Sequence, residues 1–322
     1  MREKVKLLIR TSPHIHSPIT LSRLMYGVIL ALTPALLWGL YYFHLPALLL
    51  LLTCVSSTLI TEALFRKVRG KEITLYDGSA LLTGILLAMV LPPYLPLWMG
   101  ALGGFIAISL GKEIFGGLGY NIFNPALVGR AFLSASFPVA LTTWKVPLNH
   151  SWFSVDTVTQ ATPLATTLPK FGGGGSYPLY KLILGLHGGC MGETCGLALL
   201  VGGLILLIFR IIDYRIPLSC LLTVLVFSTI FYLREDNFPS PLFHLFSGGL
   251  LLGAFFMATD PVTSPVTKKG RWIFGAGMGF LIVCIRLWGG YPEGVMYSIL
   301  IMNAFTPLIN RLTLPLPLGG KK

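Results

Sequence analysis

Charged side chains are scarce in this sequence, and acidic ones are the scarcest. Only 11% of the 322 residues are charged, against about 25% in an ordinary soluble domain, and only 12 are Asp or Glu. With 54% of residues hydrophobic, this composition excludes a typical soluble protein and predicts a membrane protein. The net charge of +12 comes from short basic groups between apolar segments, a distribution that sets membrane topology rather than a nucleic-acid-binding face.

Cysteines and targeting signals are also few. The five cysteines have no zinc-site spacing, and three of them lie inside apolar segments, where cysteine commonly serves as a small buried side chain. The role of the CxxxxC pair, Cys190 and Cys195, stays open. Residues 1–22 lack the apolar core and small-residue cleavage site of a secretory signal, so we expect the first apolar segment to be retained as a helix.

Apolar segments are what the sequence has in abundance. A bilayer core about 30 Å thick needs about 20 apolar residues per helix, and fewer where a helix is broken or shielded by protein. We therefore predict an all-α polytopic membrane protein with about ten transmembrane helices. Their expected bounds are 23–43, 45–65, 78–91, 94–111, 122–138, 193–210, 215–233, 242–258, 271–288 and 293–311.

The lysines and arginines predict the side of the membrane on which each loop lies. An even number of helices puts both termini on one side, and basic residues favour the cytoplasm. With cytoplasmic termini, the basic residues fall on the inner side except for Arg130, Lys145, Lys170, Lys181, Arg234 and Arg286. We therefore expect cytoplasmic termini and an extracytoplasmic loop between the fifth and sixth helices.

The chain contains an internal repeat. "ALLTGILLAMVLPPYLP" at 80–96 aligns with "GLLLGAFFMATDPVTSP" at 249–265. Two five-helix halves must have opposite orientations, and inverted repeats of this kind place a binding or conduction site near the midplane, at short or broken helices. The expected units are a cytoplasmic N-terminal arm (1–22), a first repeat (23–138), an outer loop (139–192), a second repeat (193–311) and a cytoplasmic tail (312–322).

Four polar side chains near the ends of apolar segments are candidates for a site inside the membrane. Asn121 and Asn124 are expected on one face of a helix that begins there, where two amides could hold a planar ligand or cap the helix. Glu193, at the start of the sixth helix, could belong to an ion path or simply favour the positive end of a helix. Asp260 could bind a cation or ligand, or be a helix-end carboxylate followed by proline.

The outer loop at 139–192 is far longer than the other connections, which suggests a function. It contains "DTVTQAT", with Asp156 six residues before Thr162. A threonine hydroxyl is a weak nucleophile without a base, yet it can carry a group that another enzyme attaches. From the residues alone, a Ser/Thr-rich loop without chemistry fits equally well.

Several stretches together resemble a membrane family that includes the D subunit of the Rnf complex, the ion-translocating ferredoxin:NAD oxidoreductase of bacteria and some archaea. The same family includes the B subunit of the sodium-pumping NADH:quinone reductase. The stretches are "DGSALLTGILLA", "GKEIFGGLGYNIFNPALVGRAF", "DTVTQATPLA", "FHLFSGGLLLGAFFMATDPVTSPVTKKGR" and "WGGYPEGVMYSILIMNAFTPLI". The short N-terminal arm fits the Rnf member better than its quinone reductase counterpart, which typically has a longer extension.

The resemblance implies an FMN joined through its phosphate to the threonine of a motif of the form Dxx(S/T)(G/S)AT. The motif falls on Asp156, Thr159, Ala161 and Thr162. Thr162 is thus the expected attachment point. This sequence departs from the pattern at Gln160, where glycine or serine is more usual.

The resemblance also implies a noncovalent riboflavin within the membrane part, near Asn121, Asn124 and Asp260. It implies a component of a translocase in the cell membrane that is inactive alone and exchanges electrons with another flavin-bearing subunit on the outer face. Electron transfer would be coupled to transport of Na⁺ or H⁺, for which Glu193 and Asp260 are candidate groups. The alternatives are the quinone reductase component and a stand-alone small-solute channel or transporter, because inverted repeats build those as well.

Overall fold

The computed structural model describes residues 20–72, 75–147, 157–172, 177–234 and 238–315, and this part of the chain is mostly helical. Asp156 of the expected attachment motif lies outside the described residues. The helices are α1 (Leu21–Val68), α2 (Ser79–Val90), α3 (Leu97–Ile108), α4 (Pro125–Ser136), α5 (Pro138–Thr142), α6 (Pro163–Thr167), α7 (Leu179–Leu184), α8 (Met191–Thr194), α9 (Gly196–Ile208), α10 (Arg215–Tyr232), α11 (Pro241–Phe246), α12 (Leu250–Leu252), α13 (Lys268–Trp288) and α14 (Val295–Thr313).

Four of these helices, α1, α10, α13 and α14, are long and apolar enough to cross a membrane, while α2 and α9 are apolar but shorter. α1 has 48 residues and would extend about 72 Å at 1.5 Å per residue, more than twice the thickness of a bilayer core. It is interrupted at His44, where φ is 57° and ψ is −141°. Pro46 fits the first turn of the following segment, because the N–H that proline lacks has no helical partner there. The chain is a helical membrane protein.

Close helix contacts form at glycines. α1 packs against α2, α3 and α9, and α13 packs against α10 and α14. A Cβ added to Gly84 in α2 would lie 2.6 Å from Thr58 Oγ1 of α1, and one added to Gly275 in α13 would lie 1.9 Å from Ser219 Oγ of α10. Small residues let helices in a membrane approach this closely. Buried side chains from α1 to α14 belong to one continuous apolar core.

Two helical regions are interrupted in ways that matter for the sites described below. α3 continues into a π-helical segment at Ser109–Glu113, and α12 continues into another at Gly253–Met257. Between α11 and α12 the chain turns at Gly248 and Gly249, with φ of 67° and 66°, values that favour glycine. π-helical segments are rare and are often found at functional sites.

The described part of the outer loop forms a small packed layer. β1 (Lys145–Pro147) pairs antiparallel with β2 (Thr157–Thr159), with Val146 opposite Val158. α6 follows β2 directly, and α7 contacts α9 and α11. A second apolar cluster joins this layer to α11, and its buried members are Leu164, Leu168, Leu182, Phe238 and Phe243.

Candidate functional site

Thr162 lies at the wall of a cavity of about 350 Å³. It caps α6, because its Oγ1 accepts a hydrogen bond from the backbone N–H of Ala165 at 3.4 Å and Pro163 occupies the first helical position. Thr162 is 3% exposed. The cavity is lined by Arg130, Ser134, Pro138, Leu141, Thr142, Trp144, Ala161, Thr162, Ala165, Phe171, Gly290, Tyr291, Pro292, Glu293, Met296 and Tyr297.

The walls of this cavity combine aromatic surface with one ion pair. Tyr291 and Tyr297 lie side by side, with ring centroids 5.3 Å apart, and Trp144 contributes a third ring. Arg130 Nη2 lies 2.7 Å from Glu293 Oε2. Aromatic walls favour a flat aromatic ligand, and a guanidinium can bind a phosphate. The cavity can therefore hold a planar group that carries a phosphate and is bonded to the threonine.

The residues of the expected attachment motif occupy different positions around this cavity. Ala161 and Thr162 line it, whereas Thr159 is exposed at the end of β2. Gln160, the residue that departs from the motif, is also exposed. Its backbone N–H donates to the carbonyl oxygen of Trp144 at 3.0 Å, so the main chain of the motif is tied to the cavity wall while the unusual side chain stays outside.

Lys170 has a role that sequence analysis did not anticipate. Its Nζ donates to the carbonyl oxygens of Ile285 at 3.0 Å, Gly289 at 2.7 Å and Tyr291 at 3.1 Å. Burial lowers the pKa of Lys170, and the positive charge of Arg286 lowers it further, so holding the ammonium here has a cost that the three carbonyls offset. Lys170 fastens the Thr162 loop to the C-terminal end of α13, where a helix favours a cation.

A second cavity, of about 70 Å³, brings together Asn121, Asn124 and Asp260. These residues come from the loop before α4 and from the turn after the second π-helical segment. Its lining is Leu24, Met25, Val28, Ser79, Leu82, Thr83, Leu86, Lys112, Leu118, Asn121, Asn124, Pro125, Ile211, Ile212, Phe256, Thr259, Asp260 and Pro261.

The expectation that the two asparagines share one helix face is wrong, because α4 begins only at Pro125. Asn124 caps α4 with its Oδ1, which accepts from the N–H groups of Ala126 and Leu127 at 3.1 and 3.4 Å. Its Nδ2 donates to the carbonyl oxygen of Met257 at 3.2 Å, in the second π-helical segment. Asn121 lies in the preceding loop, and its buried Oδ1 has no hydrogen-bond partner in the described part of the chain.

The carboxylate of Asp260 accepts hydrogen bonds from the turn that follows it. Its Oδ2 accepts a hydrogen bond from Thr263 Oγ1 at 3.0 Å, and its Oδ1 accepts one from the N–H of Val262 at 3.5 Å. This is the local capping geometry of an aspartate that precedes proline. The same carboxylate also borders the second cavity, so the two interpretations of Asp260 are compatible.

Sequence analysis missed a buried ion pair at the second cavity. Lys112, 1% exposed, lines the cavity, and its Nζ lies 2.8 Å from both carboxylate oxygens of Glu62, which is 0% exposed. Lys112 Nζ also donates to Ser79 Oγ at 2.7 Å. The available signal was a charged residue within an apolar segment, "STLITEALF" for Glu62 and "AISLGKEIF" for Lys112, because such residues are rare in membranes and commonly paired.

Glu193 lies close to the Thr162 cavity. It belongs to the short helix α8, is 6% exposed, and its Oε1 has no hydrogen-bond partner among the described residues. It borders a space of about 10 Å³ together with Arg130, Cys190 and Met257. Arg130 also lines the Thr162 cavity, and Met257 accepts the hydrogen bond from Asn124.

The structure contains no disulfide between Cys190 and Cys195. Cys190 and Cys195 are both buried free thiols. Cys190 Sγ donates to the carbonyl oxygen of Val90 at 3.0 Å, and Cys195 Sγ accepts from the N–H of Ala198 at 3.4 Å. Both sulfurs therefore bond backbone groups at helix ends.

Comparisons with known proteins cover almost the whole chain. Residues 8–319 match the model of the NQR2, RnfD, RnfE family. The chain is 47% identical, over 98% of its length and 96% of the relative's, to the D subunit of the proton-translocating ferredoxin:NAD(+) oxidoreductase complex of Clostridium ljungdahlii. It is 48% identical, over 96% and 94%, to the Na(+)-translocating counterpart of Acetobacterium woodii. It is 41% identical, over 93% and 92%, to the D subunit of the ion-translocating oxidoreductase complex of Stutzerimonas stutzeri.

Proposed function

The chain belongs to the NQR2, RnfD, RnfE family, and from this premise we propose that it is the membrane-embedded D subunit of a multi-subunit ferredoxin:NAD⁺ oxidoreductase that couples electron transfer to ion transport. Relatives with this name align with the chain almost from end to end. Buried charges inside an apolar fold, which a purely structural helix bundle has no need of, agree with this function. The family model also covers NQR2, but the relatives reported above are named as D subunits of ferredoxin:NAD(+) or ion-translocating oxidoreductase complexes, which favours that function over the quinone reductase component and a stand-alone channel.

The proposal includes ten transmembrane helices arranged as two inverted repeats. The helical segments of the described residues lie close to the ten expected bounds, with the interruption at His44 separating the first two. A short α2 and an interrupted α11–α12 occupy the positions of the two broken helices that the repeat predicts. Both termini would lie in the cytoplasm and the Thr162 loop outside, as the distribution of basic residues favours.

We further propose that FMN is attached through its phosphate to Thr162. The residues present fit this group: a buried hydroxyl opens on a cavity of about 350 Å³ with aromatic walls and the guanidinium of Arg130. When bound, the flavin supplies one- and two-electron redox chemistry. Trp144 and Tyr291 would exclude water from its ring, Arg130 would face the phosphate, and Glu293 would hold Arg130 in place. An electron partner with its own flavin would dock on the outer face.

A second, noncovalent flavin, riboflavin, is proposed for the cavity at Asn121, Asn124 and Asp260. The donor set fits, because the buried Oδ1 of Asn121 lacks a partner in the described part of the chain and can accept from a ring N–H. The volume of about 70 Å³ suits the polar edge of such a ligand and not its whole ring system. We therefore expect the apolar lining to move apart when the ligand binds.

Ion transport is proposed to involve Glu193 and Asp260. Glu193 is a buried carboxylate close to Arg130 of the Thr162 cavity, and Asp260 borders the second cavity. Both can hold a cation or a proton at membrane depth, where a carboxylate without a role is costly. Measuring whether ferredoxin-driven transport depends on sodium distinguishes Na⁺ from H⁺.

The position of Thr162 in the wall of the aromatic cavity is the observation that carries the flavin proposal, and substitution of its hydroxyl tests it. After denaturing electrophoresis of the complex, the band of this protein should fluoresce under ultraviolet light, and Thr162→Val should abolish the fluorescence completely because no ester can form. Thr167→Val is the matched control: Thr167 is also 3% exposed and lies in α6, but its hydroxyl donates to the carbonyl oxygen of Pro163.

The control variant should keep the fluorescence of the wild type. A dark wild-type band, produced in a host that has the flavin-transferring enzyme, contradicts the covalent FMN. It would leave membership of the complex to be tested by copurification with the other subunits.

A further inference from the structure

The second cavity contains a cation that the expected ligand residues do not explain. Lys112 is 1% exposed and lines the cavity beside Asn121 and Asn124. Removing an ammonium from water is costly, and pairing it with a buried carboxylate such as Glu62 offsets that cost without a clear gain over apolar side chains of the same size. Stability alone therefore gives no reason for this pair.

The contacts of Lys112 fix its charge in one place. Its ammonium has three protons and three acceptors, the two oxygens of Glu62 and Ser79 Oγ, at 2.7 to 2.8 Å. Ser79 Oγ is itself oriented, because it donates to Asp77 Oδ1 at 2.6 Å. With its donors occupied, Lys112 acts on a ligand in the cavity through its electric field, which is strong where water is excluded.

The backbone also fixes Lys112 relative to the asparagines. Lys112 belongs to the π-helical segment Ser109–Glu113, and a Cβ on its neighbour Gly111 would lie 2.8 Å from Pro125 Cα at the start of α4. The asparagine that caps α4, Asn124, bonds Met257 of the other π-helical segment. Both π-helical segments therefore border this cavity, through Lys112 and Phe256, and the first of them presents the cation.

We propose that Lys112, held by Glu62 and Ser79, sets the reduction potential of an electron-accepting aromatic ligand in the second cavity, because its fixed positive charge stabilises the negative charge gained on reduction. This inference rests on the proposed function, in which the ligand is a noncovalent flavin. Glu62 has the opposite effect, since its carboxylate cancels part of the field that the ligand experiences.

The test compares two single variants in the purified complex. Lys112→Met removes the cation and leaves Glu62 negative, so the midpoint potential of the noncovalent flavin should fall. Glu62→Gln leaves Lys112 uncompensated, so the same potential should rise. Each shift should correspond to at least a tenfold change in the ratio of oxidised to reduced flavin at a fixed applied potential, or about 59 mV for a one-electron couple. The potential of the covalent flavin should not move.

A double variant keeps the test decisive if a buried unpaired charge prevents assembly. Lys112→Met combined with Glu62→Gln removes both members of the pair, so neither is left buried without the other, and it should lower the potential by less than Lys112→Met alone. Unchanged potentials, or shifts of the same sign in both single variants, overturn the role of Lys112 while leaving the flavin in place. If acid denaturation releases no flavin from the wild-type complex, the second flavin itself is wrong, and this inference with it.

Discussion

The Thr162 cavity and the second cavity hold their polar groups in different ways. The first has a volume of about 350 Å³ and the second about 70 Å³. In the first, the charged pair Arg130 and Glu293 is 15% exposed on each side chain, whereas in the second Lys112 and Glu62 are removed from water. Polar groups that are fixed in advance, as in the second cavity, reduce the cost of binding a ligand that no covalent bond holds.

The two cavities also differ in what supports them. One wall of the Thr162 cavity is formed by the loop layer, and Lys170 of this layer donates hydrogen bonds to the carbonyl oxygens of Ile285 and Gly289 at the end of α13. The second cavity is framed by interruptions in the helices of both halves of the chain, and Asn124 joins those halves by capping α4 and bonding Met257. Changes in the loop should therefore affect one cavity, and changes at the helix interruptions should affect the other.

The largest expected effect is the loss of the noncovalent flavin while the covalent flavin stays bound. In the double variant Asn124→Leu, Asp260→Leu, the complex should lose its acid-extractable riboflavin because two polar groups of the second cavity are gone, while the fluorescent band due to Thr162 remains. Asn303→Leu is the matched control, since Asn303 is also buried, at 1% exposure, but does not line the described second cavity. A folded double variant that keeps its extractable flavin contradicts the assigned pocket.

An intermediate effect is expected at the loop. Lys170→Met removes three hydrogen bonds from an ammonium to carbonyls, and we expect it to lower the free energy of unfolding of the loop layer by about 2 kcal/mol. Limited proteolysis in detergent should cleave the Thr162 loop faster, with the extractable flavin unchanged. Lys181→Met in the same layer should behave as the wild type, because no side-chain hydrogen bond of Lys181 is found in the part of the chain that the structure describes. Equal cleavage rates in both variants would show that Lys170 does not fasten the loop.

Much of the helical framework can be predicted from the length of the apolar segments and from the residues that begin and end helices. The expected segment 271–288 corresponds to α13 (Lys268–Trp288), and 293–311 corresponds to α14 (Val295–Thr313). The start of α4 could also have been predicted, because proline is favoured at the first helical position and asparagine at the position just before it. The sequence expectation instead extended the helix back to Asn121, where three-residue spacing suggested a shared face.

The side-chain partners could not be predicted in the same way. Glu62 and Lys112 are 50 positions apart, and their pairing depends on how α1 packs against the π-helical segment after α3. A π-helical segment leaves no periodic signature in sequence, so the position of Lys112 in a cavity wall was not visible. Lys170 was placed only on the outer side of the membrane, and its partners in the structure are backbone carbonyls, which the sequence of a loop does not reveal.

The smallest effect is expected at Asp213, in the loop between α9 and α10. Its Oδ2 lies 2.7 Å from Arg215 Nη1 and also pairs with Arg271 of α13, next to Ile211 and Ile212 in the cavity lining. Burial by itself raises the pKa of Asp213, but hydrogen bonds and charge from Arg215 and Arg271 outweigh it and hold the pKa below its usual value. The carboxylate therefore stabilises the fold when it is ionised.

Because the folded pKa is the lower one, this stabilisation is complete above the unfolded value of about 3.9 and is lost as pH falls through the folded value. Asp213→Asn should lower the free energy of unfolding by less than about 1 kcal/mol at pH 7, since the group is partly exposed. Thermal unfolding in detergent should show the difference from the wild type shrinking below about pH 4. A difference that stays constant down to about pH 3, well below the unfolded value, would mean that the Asp213 side chain stabilises the fold through packing and not through its charge.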